Sequence, residues 1–185
     1  MNNKTFLQKI ENLPVPILPT MVGALTLSTV YSNMGYTWVR HITSWVAVIV
    51  LISYIIKMIV YPKTCLKEYS NTVPASLYAG FTMITMILGS YFYNLNPLFG
   101  KVLWFIGLIL HVIHILIFTY RNVIKGVNIQ TFVPSWFVTY NGIMVSTVVG
   151  GVMNEPLICK IVVYYGIAVF TIIIPFMLYR LVKHE

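Results

Sequence analysis

The side chains with the most chemical potential are His111 and His114, three residues apart in an otherwise apolar run. That spacing puts both imidazoles near one helix face, where they could ligate haem or a metal or hydrogen-bond across a helix interface. A cofactor needs ligands from a second helix, yet the other histidines, His41 and His184, fall at opposite surfaces of the topology derived below. Cys65 and Cys159 also fall on opposite sides and have no metal-ligating neighbours. No cofactor or disulfide is therefore expected. The carboxylates Glu11, Glu68, Glu155 and Glu185 all lie outside the apolar cores, whereas proton or cation paths usually keep one inside. No enzymatic chemistry is expected either.

What remains is a set of small and hydroxyl side chains at helical spacing: Pro19, Gly23 and Thr26; Tyr78, Thr82, Thr85 and Gly89; Ser135, Thr139, Gly142, Ser146 and Gly150. Each alone reads as a site of close helix packing, with hydroxyls bonded to their own helix. Recurrence in three stretches favours a shared, largely uncharged pore lined by them. The stretches open on Pro14, Pro74 and Pro134, sixty residues apart, and close near Asn33, Asn94 and Asn154. A period of this size marks a repeated supersecondary unit. Pro74 and Pro134 suit a first helical turn, while Pro16 and Pro19 lie deeper and could kink their helix.

The elements that must position these residues follow from composition. With 58% hydrophobic and 9% charged residues, the chain belongs in a bilayer rather than a soluble globule. The net charge of +8 comes from scattered basic residues, not from a patch suited to nucleic acid. Prolines interrupt the first apolar run, so it is not read as a signal peptide. Six windows are long enough to span about 30 Å of hydrocarbon. They pair into three helix hairpins, about 13–61, 75–120 and 135–179, within a single membrane domain, 1–185.

Nine basic residues fall on one side of this topology and three, Arg40, Lys101 and Lys160, on the other, which predicts a multi-pass cell-membrane protein with both termini cytoplasmic. Lys57, one turn from a helix end, is expected to snorkel to that interface. Gly, Ala, Ser and Thr number 7, 8 and 7 in the odd helices against 4, 2 and 3 in the even ones, so the odd helices are expected inside and the even ones against lipid. Helix N-termini and Lys63, Lys67, Arg121 and Lys125 would make the cytoplasmic mouth weakly positive, which favours small anions.

Val73-Pro74 through Asn94, the turn Leu95-Asn96-Pro97-Leu98, and Pro134-Ser135-Trp136-Phe137 leading to Asn141-Gly142 resemble the tellurite-resistance/dicarboxylate transporter family, which includes malic acid permeases and plant slow anion channels. The resemblance runs from about Leu13 to Tyr179. It implies five hairpins around a quasi-fivefold axis, odd helices lining an anion pore, C4-dicarboxylates such as malate among the substrates, and trimers with one pore per protomer. Six of the family's ten helices are expected here, so the bundle would be incomplete and the family's gate cannot be assigned to a residue. A second chain supplying the missing helices, a non-transporting remnant and a haem-binding redox subunit using His111 and His114 remain alternative readings.

Overall fold

The computed structural model describes residues 6–183 except 127, with Phe6 described by its backbone alone. Lys4, His184 and Glu185, used in the reading above, lie outside the described residues. The described residues are 86% helical, with no strand among them. The helices are α1 (Phe6–Glu11), α2 (Ile17–Asn33), α3 (Thr37–Val60), α4 (Pro62–Ser70), α5 (Thr72–Leu77), α6 (Ala79–Tyr93), α7 (Pro97–Thr119), α8 (Trp136–Tyr140), α9 (Val145–Val148) and α10 (Pro156–Lys183).

Among the described residues, four stretches are long and apolar enough to cross a membrane: α3, α5 with α6, α7 with the π-turn Tyr120–Ile124, and α10. The first expected span forms α2, of 17 residues. The fifth, expected over 135–153, forms no continuous helix. It runs as α8, a 3-10 turn at Gly142–Met144, α9 and a second 3-10 turn at Gly150–Met153. Gly142, Gly150 and Gly151 each weaken an α-helix by about 1 kcal/mol relative to alanine. Protein packed around this stretch makes up for the broken ladder: the Asn141 side-chain amide donates to Gly166 O at 3.0 Å, and Trp104 Nε1 donates to Ser146 O at 3.1 Å. Irregular backbone at membrane depth is tolerated where protein surrounds it in this way.

A turn follows each of the stretches that close near Asn33, Asn94 and Asn154. Gly35 has φ +98° after Asn33, Asn96 caps α7 through Oδ1 to Phe99 N at 3.1 Å, and Asn154 adopts left-handed geometry at φ 55°. Lys101 and Glu155, at the start of α7 and just before α10, pair at 2.6 Å. The tightest helix contact is α6 against α7. A Cβ on Gly100 would lie 2.3 Å from Tyr93 N, and one on Gly89 would lie 2.7 Å from Trp104 N. Backbones approach so closely only because these residues lack side chains.

Buried side chains concentrate on α6, which lies between α2 and α7, whereas α3, α7 and α10 expose most of their apolar surface. Lys57 departs from expectation. Its side chain is fully buried rather than extended to the interface, because Glu68 on α4 folds back over it with Oε1 at 2.8 Å and Leu13 O accepts a second bond at 2.8 Å. An inward partner replaces the solvation that snorkelling would have supplied.

Candidate functional site

Residues of α2 that repeat at three and four, Leu18, Met21, Val22, Leu25 and Ser28, turn into the core. The opposite face, with Pro16, Gly23, Thr26 and Val30, is therefore left outward. At Gly23 no atom lies within 4 Å of where a Cβ would stand. Beside Thr26 opens a groove of about 540 Å3 between α2, α6 and the broken stretch around α9. Thr26, Thr29, Arg40, Ser90, Asn94 and Gly151 give it most of its polar and small lining.

The hydroxyls of Thr26 and Thr29 donate to their own helix, to Val22 O at 2.9 Å and Leu25 O at 3.1 Å. The donors left for a ligand in the groove are the guanidinium of Arg40, the hydroxyl of Ser90 and the amide of Asn94. Arg40 lies 5.9 Å from the Tyr91 ring centre, and no carboxylate pairs with it among the described residues. An uncompensated guanidinium at the rim of a mostly apolar groove attracts anions and repels cations.

The other residues expected along a path sit elsewhere. Pro19 is half-buried, its nitrogen 2.9 Å from where a Gly80 Cβ would be. Tyr78 is buried with its hydroxyl on Glu68 Oε2 at 2.5 Å, and Thr85 donates to Phe81 O at 2.8 Å. Gly142 faces the His111 ring and Met83, Gly150 faces Cys159 and Trp104, and the buried Ser146 Oγ has no partner among the described residues. Ser135 is likewise buried at Oγ without a partner, and Pro134 precedes α8. Pro16 caps α2, and Pro74 lies in the first turn of α5. At the basic end, Lys63 and Lys67 are exposed, Lys125 lies over the Tyr120 ring at 5.2 Å, and Arg121 Nη1 donates to Tyr69 O at 2.9 Å.

His111 and His114 are engaged by helix partners on both ring nitrogens. His111 Nε2 lies 2.9 Å from Thr139 O, a pure acceptor, so Nε2 carries the hydrogen. In the neutral ring Nδ1 is then an acceptor 2.6 Å from the Thr82 hydroxyl, whose one hydrogen it shares with Ala79 O at 2.7 Å. His114 Nε2 lies 3.3 Å from Thr139 Oγ1, and its Nδ1 lies 2.9 Å from Tyr69 Oη. Burial pushes the Tyr69 phenol up to about 12, against the lowering pull of Arg121, so it remains protonated and can donate. These bonds tie α4, α6, α7 and α8 together at the level of Thr139. Among the described residues, no group of three His, Cys, Asp or Glu side chains is placed to hold a metal.

Thr29 follows Thr26 by three residues and Ser90 follows Gly89 directly, so both lay within reach of the spacing argument. Arg40 belongs to the three outer basic residues of the charge count, and the packing of α3 on α2 and α6 brings it to the groove.

The sequence model of the voltage-dependent anion channel (SLAC1) family matches residues 17–185. The chain belongs to this family. No curated protein matches it in sequence. Membership makes it a membrane protein of an anion-transport family, whose members are channels or transporters rather than enzymes. The match covers α2 through α10 and thus every residue of the groove.

Proposed function

We propose that the chain conducts small anions, C4-dicarboxylates such as malate among them, along the open face of α2 and through the groove that ends at Arg40. The observation that carries this reading is the conjunction of Gly23, Thr26 and the groove on one outward face, with an unpaired guanidinium at its rim. Width, hydroxyl and amide dipoles and a weak positive potential would select the ion, with no covalent step. On this reading α2, α6 and the α8–α9 stretch are the inner members of three hairpins, and the half-open groove is closed by further helices, from more of the chain, from a trimer or from a second protein. Both termini lie on the cytoplasmic side of the cell membrane, with Arg40 at the outer mouth. Thr82, Thr139 and the glycines packed against α7 and α10 then support the wall from behind.

Purified protein in liposomes, assayed separately with malate, chloride, nitrate and sulfite, tests the reading. Flux of at least one of these anions, with no potassium flux, is the expected result. Absence of any anion flux, with and without co-expressed partner helices, removes it.

A further inference from the structure

A second groove, of about 350 Å3, lies between the end of α7, α8 and the last turns of α10. Its walls include Val123, Ile129, Phe132, Trp136, Ile173 and Phe176. The two hydroxyls at its edge, Thr119 and Tyr140, bond each other at 2.9 Å, and Trp136 Nε1 donates to Thr131 O at 2.7 Å. The lining is thus apolar apart from one hydroxyl pair, which already shares a hydrogen bond. Arg180 follows Ile173 and Phe176 on the same face of α10, one turn past Phe176. Its Nε is buried and has no hydrogen-bond partner among the described residues.

The internal repeat accounts for the lack of a described partner at Arg180 Nε. Tyr120-Arg121 ends α7 much as Tyr179-Arg180 ends α10, fifty-nine residues on. Beside Arg121 lies the counterpart groove, lined by Tyr69, Tyr78, Leu110 and His114 among others. There the arginine is satisfied within the chain: Nη1 bonds Tyr69 O, and the guanidinium lies 5.3 Å from the Tyr69 ring centre. Fifty-nine and sixty residues after Tyr69 stand Asn128, whose Oδ1 accepts from Gln130 N, and Ile129, which lines the second groove; neither has a ring to receive Arg180. The described carboxylates are used elsewhere, Glu11 by Thr64, Glu68 by Lys57 and Glu155 by Lys101.

We propose that this groove is a specific site for an anionic phospholipid, with one acyl chain along Phe132, Trp136 and Ile173 and the phosphate on Arg180. An apolar slot with Arg180 one helical turn past its Phe176 wall, and with no described carboxylate on that arginine, matches the two halves of such a molecule, and a zwitterionic lipid gains less from the arginine. The site is separate from the Arg40 groove and does not depend on which ion is transported.

The test is native mass spectrometry of the purified full chain titrated with phosphatidylglycerol or phosphatidylcholine of identical acyl chains. Wild type should retain the glycerol lipid about tenfold more tightly, the scale of one charge-assisted hydrogen bond. Arg180→Gln should abolish that preference, while Lys183→Gln, which removes an equal charge beyond the groove, should keep it. Ile173→Trp should weaken retention of both lipids by filling the slot. A photoreactive residue at the exposed position 172 provides a check that leaves the packing intact, and it should cross-link to lipid in a bilayer. Equal retention of the two lipids by wild type, a preserved preference in Arg180→Gln, or cross-links from position 172 to protein would each overturn the proposal.

Discussion

Lys57 Nζ contacts both oxygens of Glu68, at 2.8 and 3.0 Å, with no part of the lysine side chain exposed. The same carboxylate accepts from the Tyr78 hydroxyl, and the same ammonium donates to Leu13 O. One ion pair therefore joins the entry to α2, the end of α3, the amphipathic α4 and the junction of α5 with α6. Tyr54 extends the junction, since its hydroxyl bonds Pro14 O at 2.9 Å and its ring stands edge-on to Tyr78.

Removing one partner leaves the other charge without its counter-ion, which is the expensive way to break a buried pair. Lys57→Met is expected to lower stability by about 1–3 kcal/mol, since Glu68, 26% exposed, keeps part of its solvation, and adding Glu68→Gln should recover part of the loss. Thermal unfolding of the purified protein measures both. A single variant that melts like wild type would show the pair to be dispensable.

Two glycines should respond in opposite ways to alanine. At Gly100 the new methyl meets the Tyr93 backbone and Gly89 O at 2.6 Å or less, and backbone cannot rotate away. Gly100→Ala is expected to cost at least the roughly 1–3 kcal/mol typical of overpacking. At Gly23 the methyl meets nothing, and the intrinsic helix preference for alanine over glycine is about 1 kcal/mol. Gly23→Ala should therefore hold or raise the melting temperature. Gly23→Phe should also fold yet reduce anion flux in liposomes, whereas unchanged flux would move the path away from this face.

The histidine pair yields a spectroscopic prediction. Each ring nitrogen of His111 and His114 already has a helix partner, so neither ring offers a free lone pair to iron without breaking a buried hydrogen bond. Protein expressed with haem available should show no Soret band. His111→Leu should instead destabilise by about 1–3 kcal/mol, because Thr139 O loses its donor, while the Thr82 hydroxyl keeps Ala79 O.

Run length and turn chemistry carried most of the fold. Four long apolar helices and the turns at Gly35, Asn96 and Asn154 follow from local preferences that the packing does not oppose. The break across Asn141–Met153 was less legible, because the glycines that permit close approach to His111 and Trp104 also read as helix-packing residues. Lys57 was misplaced because its partner lies beyond the chain reversal at Tyr61-Pro62, where sequence spacing no longer reports distance. The groove was legible in part. Thr26 follows from its spacing, while Arg40 reaches the site through the packing of α3 against α2 and α6.

Arg40 gives the prediction that bears most directly on function. Its guanidinium is half-exposed at the groove rim and makes no ion pair with a described carboxylate, so its loss strands no buried partner. Its contact with the Tyr91 ring is worth about 0.5–1 kcal/mol at such a site. Arg40→Gln should therefore change the melting temperature little. If the groove carries anions, it should lower their flux several-fold at low salt, with less effect as ionic strength approaches 1 M and screening shortens to about 3 Å. Arg40→Lys keeps the charge and should restore most of the flux, which separates attraction by charge from any directed bond made by the guanidinium fork. Equal flux through wild type and Arg40→Gln at low salt would show that ions reach the path without passing this rim.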